Sequence, residues 1–109
     1  MVDKSDKITT EKIEKYFDVT GRALKKLRLT TDKSKLEDAK DFYDMAQRYY
    51  SDAQHFFKKD DLVNAFAALN YAHGWLDAGA RIELFEVDGD NVLFTVDAEH
   101  VEKRRGRSH

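Results

Sequence analysis

The segment HFFKKDDLVNAFAALNYAHGWLDAGAR, His55–Arg81, decides the fold. Apolar residues recur at helical spacing on both sides of KKDD, so two helices meet there across a very short connection. Asp60 or Asp61 is placed to cap the second of them. A link this brief forces the two helices to run antiparallel as a hairpin.

Upstream, Leu36, Tyr43, Tyr50 and Phe57 repeat every seven residues, and so do Ala39, Ala46 and Ala53. Alternating rows of large and small side chains let a neighbouring helix come close. Phe42, Tyr49 and Phe56 widen the apolar stripe. Ser34 followed by Glu37 reads as a capping box that opens this helix. Further upstream, Ile13, Phe17, Thr20, Leu24 and Leu27 share a helical face, with Thr9 as N-cap and Ile8 and Ile13 as a staple. Proline is absent from all 109 residues, so no position removes a backbone donor from these helices.

The spacing predicts an all-α, up-down-up three-helix bundle with helices over about 10–29, 35–59 and 61–84. Residues 1–8 read as a flexible N-terminus, 9–97 as one domain and 98–109 as a charged tail. Past Leu84 the period changes. Phe85 and Val87, then Val92, Phe94 and Val96, alternate around DGDN, which reads as a β-hairpin or extended segment over about 85–96. A lone hairpin is marginal in water and must lean on the bundle or on another subunit.

Net charge is −2, which gives no global attraction to nucleic acid. Locally, the six bases between Arg22 and Lys35 face a single acid, Asp32, whereas Glu83–Glu102 holds seven acids and no Lys or Arg. In an up-down-up bundle both regions lie at one pole, so the imbalance reads as internal complementarity. Cysteine is absent, which excludes disulfides and thiolate chemistry and suits a reducing cytoplasm. No apolar run is long enough to span a bilayer, and no signal segment is seen at the start.

At about 100° per residue, the third helix has two apolar stripes. Leu62, Phe66, Leu69, His73, Leu76 and Ala80 form one, flanked by Ala65, Ala72 and Gly79. Tyr71, Trp75 and Ile82, with Ala68 and Ala78, form the other, an expected interface covered either by the terminal hairpin or by another subunit. Gly79 falls in the apolar arc, where a missing side chain permits close packing. Gly74 falls on a polar face with Asn70, Asp77 and Arg81, and His73 stands at its edge. Glycine in an exposed helix interior costs about 1 kcal/mol relative to alanine. These five residues are therefore a candidate binding surface; the alternative is an ordinary i,i+4 charge ladder. Arg81 has the planar fork that takes a carboxylate or phosphate.

Little catalytic chemistry is written in the chain. His73 and Asp77 have helical metal-ligand spacing, but no third ligand is identifiable, so neither a metal nor a cofactor is expected. Arg48 and His55 fit the loose Arg–His spacing of HEPN nucleases, on the outer face of the second helix. The function expected is a non-catalytic module that binds another protein or itself; the alternative is an RNA-associated protein or HEPN-like nuclease.

The run YYSDAQHFFKKDDLVNAFAALNYAHGWLDAGARIELFEV, Tyr49–Val87, resembles an archaeal family catalogued as domain of unknown function 357. Its most specific part is AFAALNYAHGWLDAGAR, Ala65–Arg81. The resemblance implies an up-and-down three-helix bundle in an archaeal cytoplasm. It implies no activity and carries over no catalytic residue.

Overall fold

The computed structural model describes residues 8–86. Three helices run in sequence: α1 (Thr10–Lys26), α2 (Leu36–Lys58) and α3 (Leu62–Arg81). Two short strands, β1 (Arg28–Leu29) and β2 (Phe85–Glu86), pair antiparallel, with Arg28 opposite Glu86 and Leu29 opposite Phe85.

The buried side chains fall into two clusters that fix the up-down-up order. One joins Ala23, Leu24 and Leu27 from the end of α1 to Ala39 and Ala46 from the first half of α2 and Leu76, Leu84 and Phe85 near the end of α3. The other joins Ile13 and Tyr16 from the start of α1 to Ala53 late in α2 and Ala68 and Leu69 early in α3. Tyr50 packs against both. The dominant helix–helix seam is α2 against α3, while α1 leans on α3 far more than on α2. Small side chains at seven-residue spacing are buried on these two helices: Ala39, Ala46 and Ala53 on α2, and Ala65 and Ala72 on α3. Small side chains at the contact allow short interaxial distances.

The α2–α3 link shows why it can be so short. The Asp61 N–H donates to the Phe56 carbonyl (2.9 Å) and the Asp60 N–H to the Phe57 carbonyl (3.0 Å). That is a Schellman closure, with Asp60 in the left-handed region at φ 62°. Asp61 then serves as N-cap of α3, its carboxylate accepting from the Asn64 N–H at 3.2 Å. The same closure ends α3: the Leu84 N–H reaches the Gly79 carbonyl (2.8 Å), the Glu83 N–H reaches that of Ala80 (3.1 Å), and Glu83 has φ 65°. α3 therefore stops at Arg81 and does not continue to Leu84.

Thr9 caps α1, accepting from the Lys12 N–H at 3.2 Å, and Ile8 packs into the same cluster as Ile13. The capping box expected at Ser34 does not form. Ser34 gives both its N–H (3.0 Å) and its hydroxyl (2.7 Å) to Asp32, and Lys35 opens α2 without a side-chain cap. Asp32 competes for Ser34 because an Asx turn two residues away is the more local bond. Those two bonds hold the Asp32 carboxyl below its usual range.

The extended segment after Leu84 is present as β2, and its partner among the described residues is β1. The other half of the expected hairpin, Val92–Val96, lies outside the described residues. α1 ends at Lys26 because Leu27 turns extended and Arg28–Leu29 enters the sheet. The described part of the acidic region meets the basic one here: Arg28 lies 3.9 Å from Glu86, and Lys35 lies 3.9 Å from Glu83. Both pairs are exposed, so each contributes at most about 1 kcal/mol.

Candidate interaction face on the third helix

α3 buries more residues than either of the other helices. Seven of its residues are buried, Ala65, Ala68, Leu69, Ala72, His73, Leu76 and Gly79, against three on the longer α2. What remains exposed on α3 is unusual in kind. From Leu62 to Leu76 the helix has no charged side chain at all, in a chain that is 37% charged. Val63, Tyr71 and Ile82 are the exposed large hydrophobics, at 67%, 62% and 54% exposure. Ala67, Gly74 and Ala78 are exposed between them. α2 contrasts with this, since its exposed positions include Glu37, Asp38, Lys40, Asp41, Asp44, Arg48 and Asp52.

The structure brings together only part of each sequence-predicted group. Of the five candidate binding residues, Asn70, Gly74 and Arg81 are exposed, and a Cβ added at Gly74 would meet nothing within 4 Å among the described residues. The Asn70 side-chain oxygen accepts a 2.7 Å hydrogen bond from the Tyr16 hydroxyl, so it is tied to α1. Burial pushes the Tyr16 phenol up to about 12. Asp77 and Arg81 form an i,i+4 ion pair at 3.2 Å. His73 turns inward: it is 7% exposed, and its ring lies 5.7 Å from that of Tyr16. Burial holds its pKa below the ordinary imidazole value, against the opposing pull of the Asp77 carboxylate.

Of the three candidate interface residues, Tyr71 and Ile82 are exposed and Trp75 is half covered. Trp75 meets Phe42 of α2 edge-on at 4.9 Å, while Tyr71 stacks on Tyr49 of α2 at 5.1 Å with 23° between planes. The exposed apolar face is therefore shifted around the helix from the stripe that ideal angles suggest. It includes Val63, which the sequence reading does not single out, and it takes in Gly74.

Gly79 is accounted for by packing, though by a strand and not a helix. A Cβ there would lie 2.9 Å from Cδ2 and 3.0 Å from Cζ of Phe85, and closer still to Cε2. Gly21 plays a similar part on α1, where a Cβ would come within 2.7 Å of the Tyr50 hydroxyl oxygen. That hydroxyl donates to the Phe17 carbonyl at 3.3 Å.

Among the described residues, no further side chain joins the remaining candidates in a shared site. Arg48 is committed to Asp44 at 2.9 Å, and His55 is exposed with its ring against Phe56. Among the described residues no three His, Asp or Glu side chains converge as a metal cluster, and no helix is long and apolar enough to cross a membrane.

Three antiparallel helices, clasped at one pole by a two-strand sheet, define a small all-α bundle. Residues 15–85 match the family described as "Protein of unknown function (DUF357)", and the chain belongs to it. No curated protein and no solved structure matches the chain.

Proposed function

We propose that this protein is a non-catalytic helical interaction module that binds a protein partner through the outer face of α3. The observation that carries the reading is that face itself: from Leu62 to Leu76 it is free of charge, and it exposes Val63, Ala67, Tyr71 and Gly74 with Asn64 and Asn70 as its polar members. An isolated exposed apolar residue is ordinary, whereas a contiguous exposed stripe on one helix marks a contact site. Gly74 fits the same reading, because a bare backbone at the centre of the face lets a partner approach closely. Tyr71 supplies a large, rigid anchor of the type that dominates protein interfaces. The family likeness, the absence of cysteine and the high charged fraction suit an archaeal cytoplasmic setting.

The test is co-purification from native extract after nuclease treatment, with a tagged native chain beside a Tyr71→Glu, Ile82→Glu variant. Both substituted positions are exposed, so the fold should persist. Proteins retained by the native chain and lost by the variant support the reading. Retention that is unchanged by the variant, or that disappears with nuclease, overturns it.

A further inference from the structure

The identity of the partner is written in the register of the same face. Val63, Ala67, Tyr71, Gly74, Ala78 and Ile82 lie within about 100° of arc on α3, at about 100° per residue. All six are exposed. They are also symmetric about a point between Ala72 and His73. Val63 and Ile82 are equidistant from it, as are Ala67 and Ala78, and Tyr71 and Gly74. A two-fold axis at that point would align the helix antiparallel to a copy of itself, and each residue would meet its counterpart twice, as an isologous contact demands.

We propose that the outer face of α3 takes a second copy of this chain, with the two α3 helices antiparallel about that axis. This rests on the reading of the face as a protein-binding surface. At the centre, the Tyr71 ring of each copy lies at the level of the other copy's Gly74, where no side chain occupies the space. A large side chain against a bare backbone is the steric match that lets helices approach closely. Ala67 faces the second copy's Ala78 with two small side chains. Val63 and the second copy's Ile82 close each end of the seam with apolar contact.

The charges agree with this direction. Arg81, in the last turn of α3, falls level with the second copy's Asn64 and one turn from its Asp60 and Asp61 at the helix start. Arg81 already lies 3.2 Å from Asp77 of its own helix, and the antiparallel arrangement would add the second copy's acidic helix start as a further partner, which the parallel one would not. Twenty residues at 1.5 Å each give a seam about 30 Å long. One helix face of that length falls at or below the small end of specific interfaces, so the dimer is weak and dependent on concentration.

Register-specific crosslinking tests the pairing, because the native chain has no cysteine. Ala67→Cys and Ala78→Cys, both at exposed positions, are prepared as separate full-length chains. They are oxidised alone and mixed, at concentrations where the native chain sediments as a dimer. The proposal predicts a disulfide between the two variants in the mixture and little from either alone. In the antiparallel pair the two copies of residue 67 lie about 16 Å apart along the axis, beyond the reach of a disulfide. Gly74→Leu should weaken dimerisation roughly tenfold or more. Self-crosslinking of Ala67→Cys, equal crosslinking in all three samples, or none in the mixture would overturn the register. A native chain that stays monomeric at every concentration overturns the second copy as partner. Proteins other than this chain, retained in the extract and lost with Tyr71→Glu, Ile82→Glu, would then keep the interaction face itself.

Discussion

Two glycines on α3, five residues apart, are there for different physical reasons. Gly79 faces inward and leaves room for the Phe85 ring, whereas Gly74 faces outward with nothing within 4 Å of where a Cβ would be. The described residues account for the first and give no reason for the second. Helix propensity argues against glycine at either place. At Gly79 the cost is offset by packing that alanine would spoil. At Gly74 no described residue compensates for it, which is the sense in which that position points away from the bundle.

The contrast can be broken most forcefully from the Phe85 side. Phe85→Ala empties the space that Gly79 creates and should destabilise the fold by about 3–5 kcal/mol, read by chemical denaturation. An effect below about 1 kcal/mol would mean that β2 does not seal this pole. Gly79→Ala forces a methyl group into the buried Phe85 ring. Overpacking costs about 1–3 kcal/mol and the helix gains about 1 back, leaving a net loss of about 1–2 kcal/mol.

The inward face makes a pH prediction as well. Burial lowers the folded-state pKa of His73 below its ordinary 6.5, so the fold prefers the neutral ring. Its stabilising contribution is complete above that pH and is lost as pH falls below it, by up to about 1.4 kcal/mol per pH unit until the folded-state pKa is passed. Denaturation curves between pH 7 and about 5, above the carboxylate range, should show this slope, and His73→Phe should flatten it. A native slope that survives the substitution would assign the proton uptake to another group. Gly74→Ala should show the smallest effect and the opposite sign to Gly79→Ala, a gain of about 1 kcal/mol in dilute solution. A loss there would mean that Gly74 has a structural role within the single chain.

Most of the architecture was legible because it is written in local spacing. The heptad rows of α2, the Thr9 cap and the brief KKDD link each specify their element without help from distant residues. The misreadings have equally physical causes. α3 ends at Arg81 through Glu83 in the left-handed region, a position where glycine or asparagine is the usual signal. Ser34 is drawn to Asp32, so the sequence pattern of a capping box is present without its geometry. β1 and β2 are joined by residues far apart in the chain, and a two-residue strand such as Arg28–Leu29 has no period to detect.

The candidate site was legible only in part. Ideal angles place Trp75 with Tyr71 and Ile82, but Phe42 of α2 covers its ring. They leave His73 on the rim, whereas Tyr16 of α1 lies over it. Which side of a helix faces solvent depends on how its neighbours lean, and that depends on tertiary contacts. The bare centre at Gly74 could be read directly from the residues, whereas the sequence pattern grouped it with Asp77 and Arg81 on a polar face. That the exposed side carries no charge from Leu62 to Leu76 follows only once the lean of the neighbouring helices is known.

Sedimentation equilibrium of the full chain beside Gly74→Leu, across a wide range of concentration, decides whether α3 pairs with that of a second copy. The native 12.7 kDa chain should move from that mass toward twice it as concentration rises. Gly74→Leu should remain near the monomer mass over the same range while unfolding at no lower denaturant concentration. A native chain that never exceeds the monomer mass, or a variant that associates as readily as the native chain, would contradict the account.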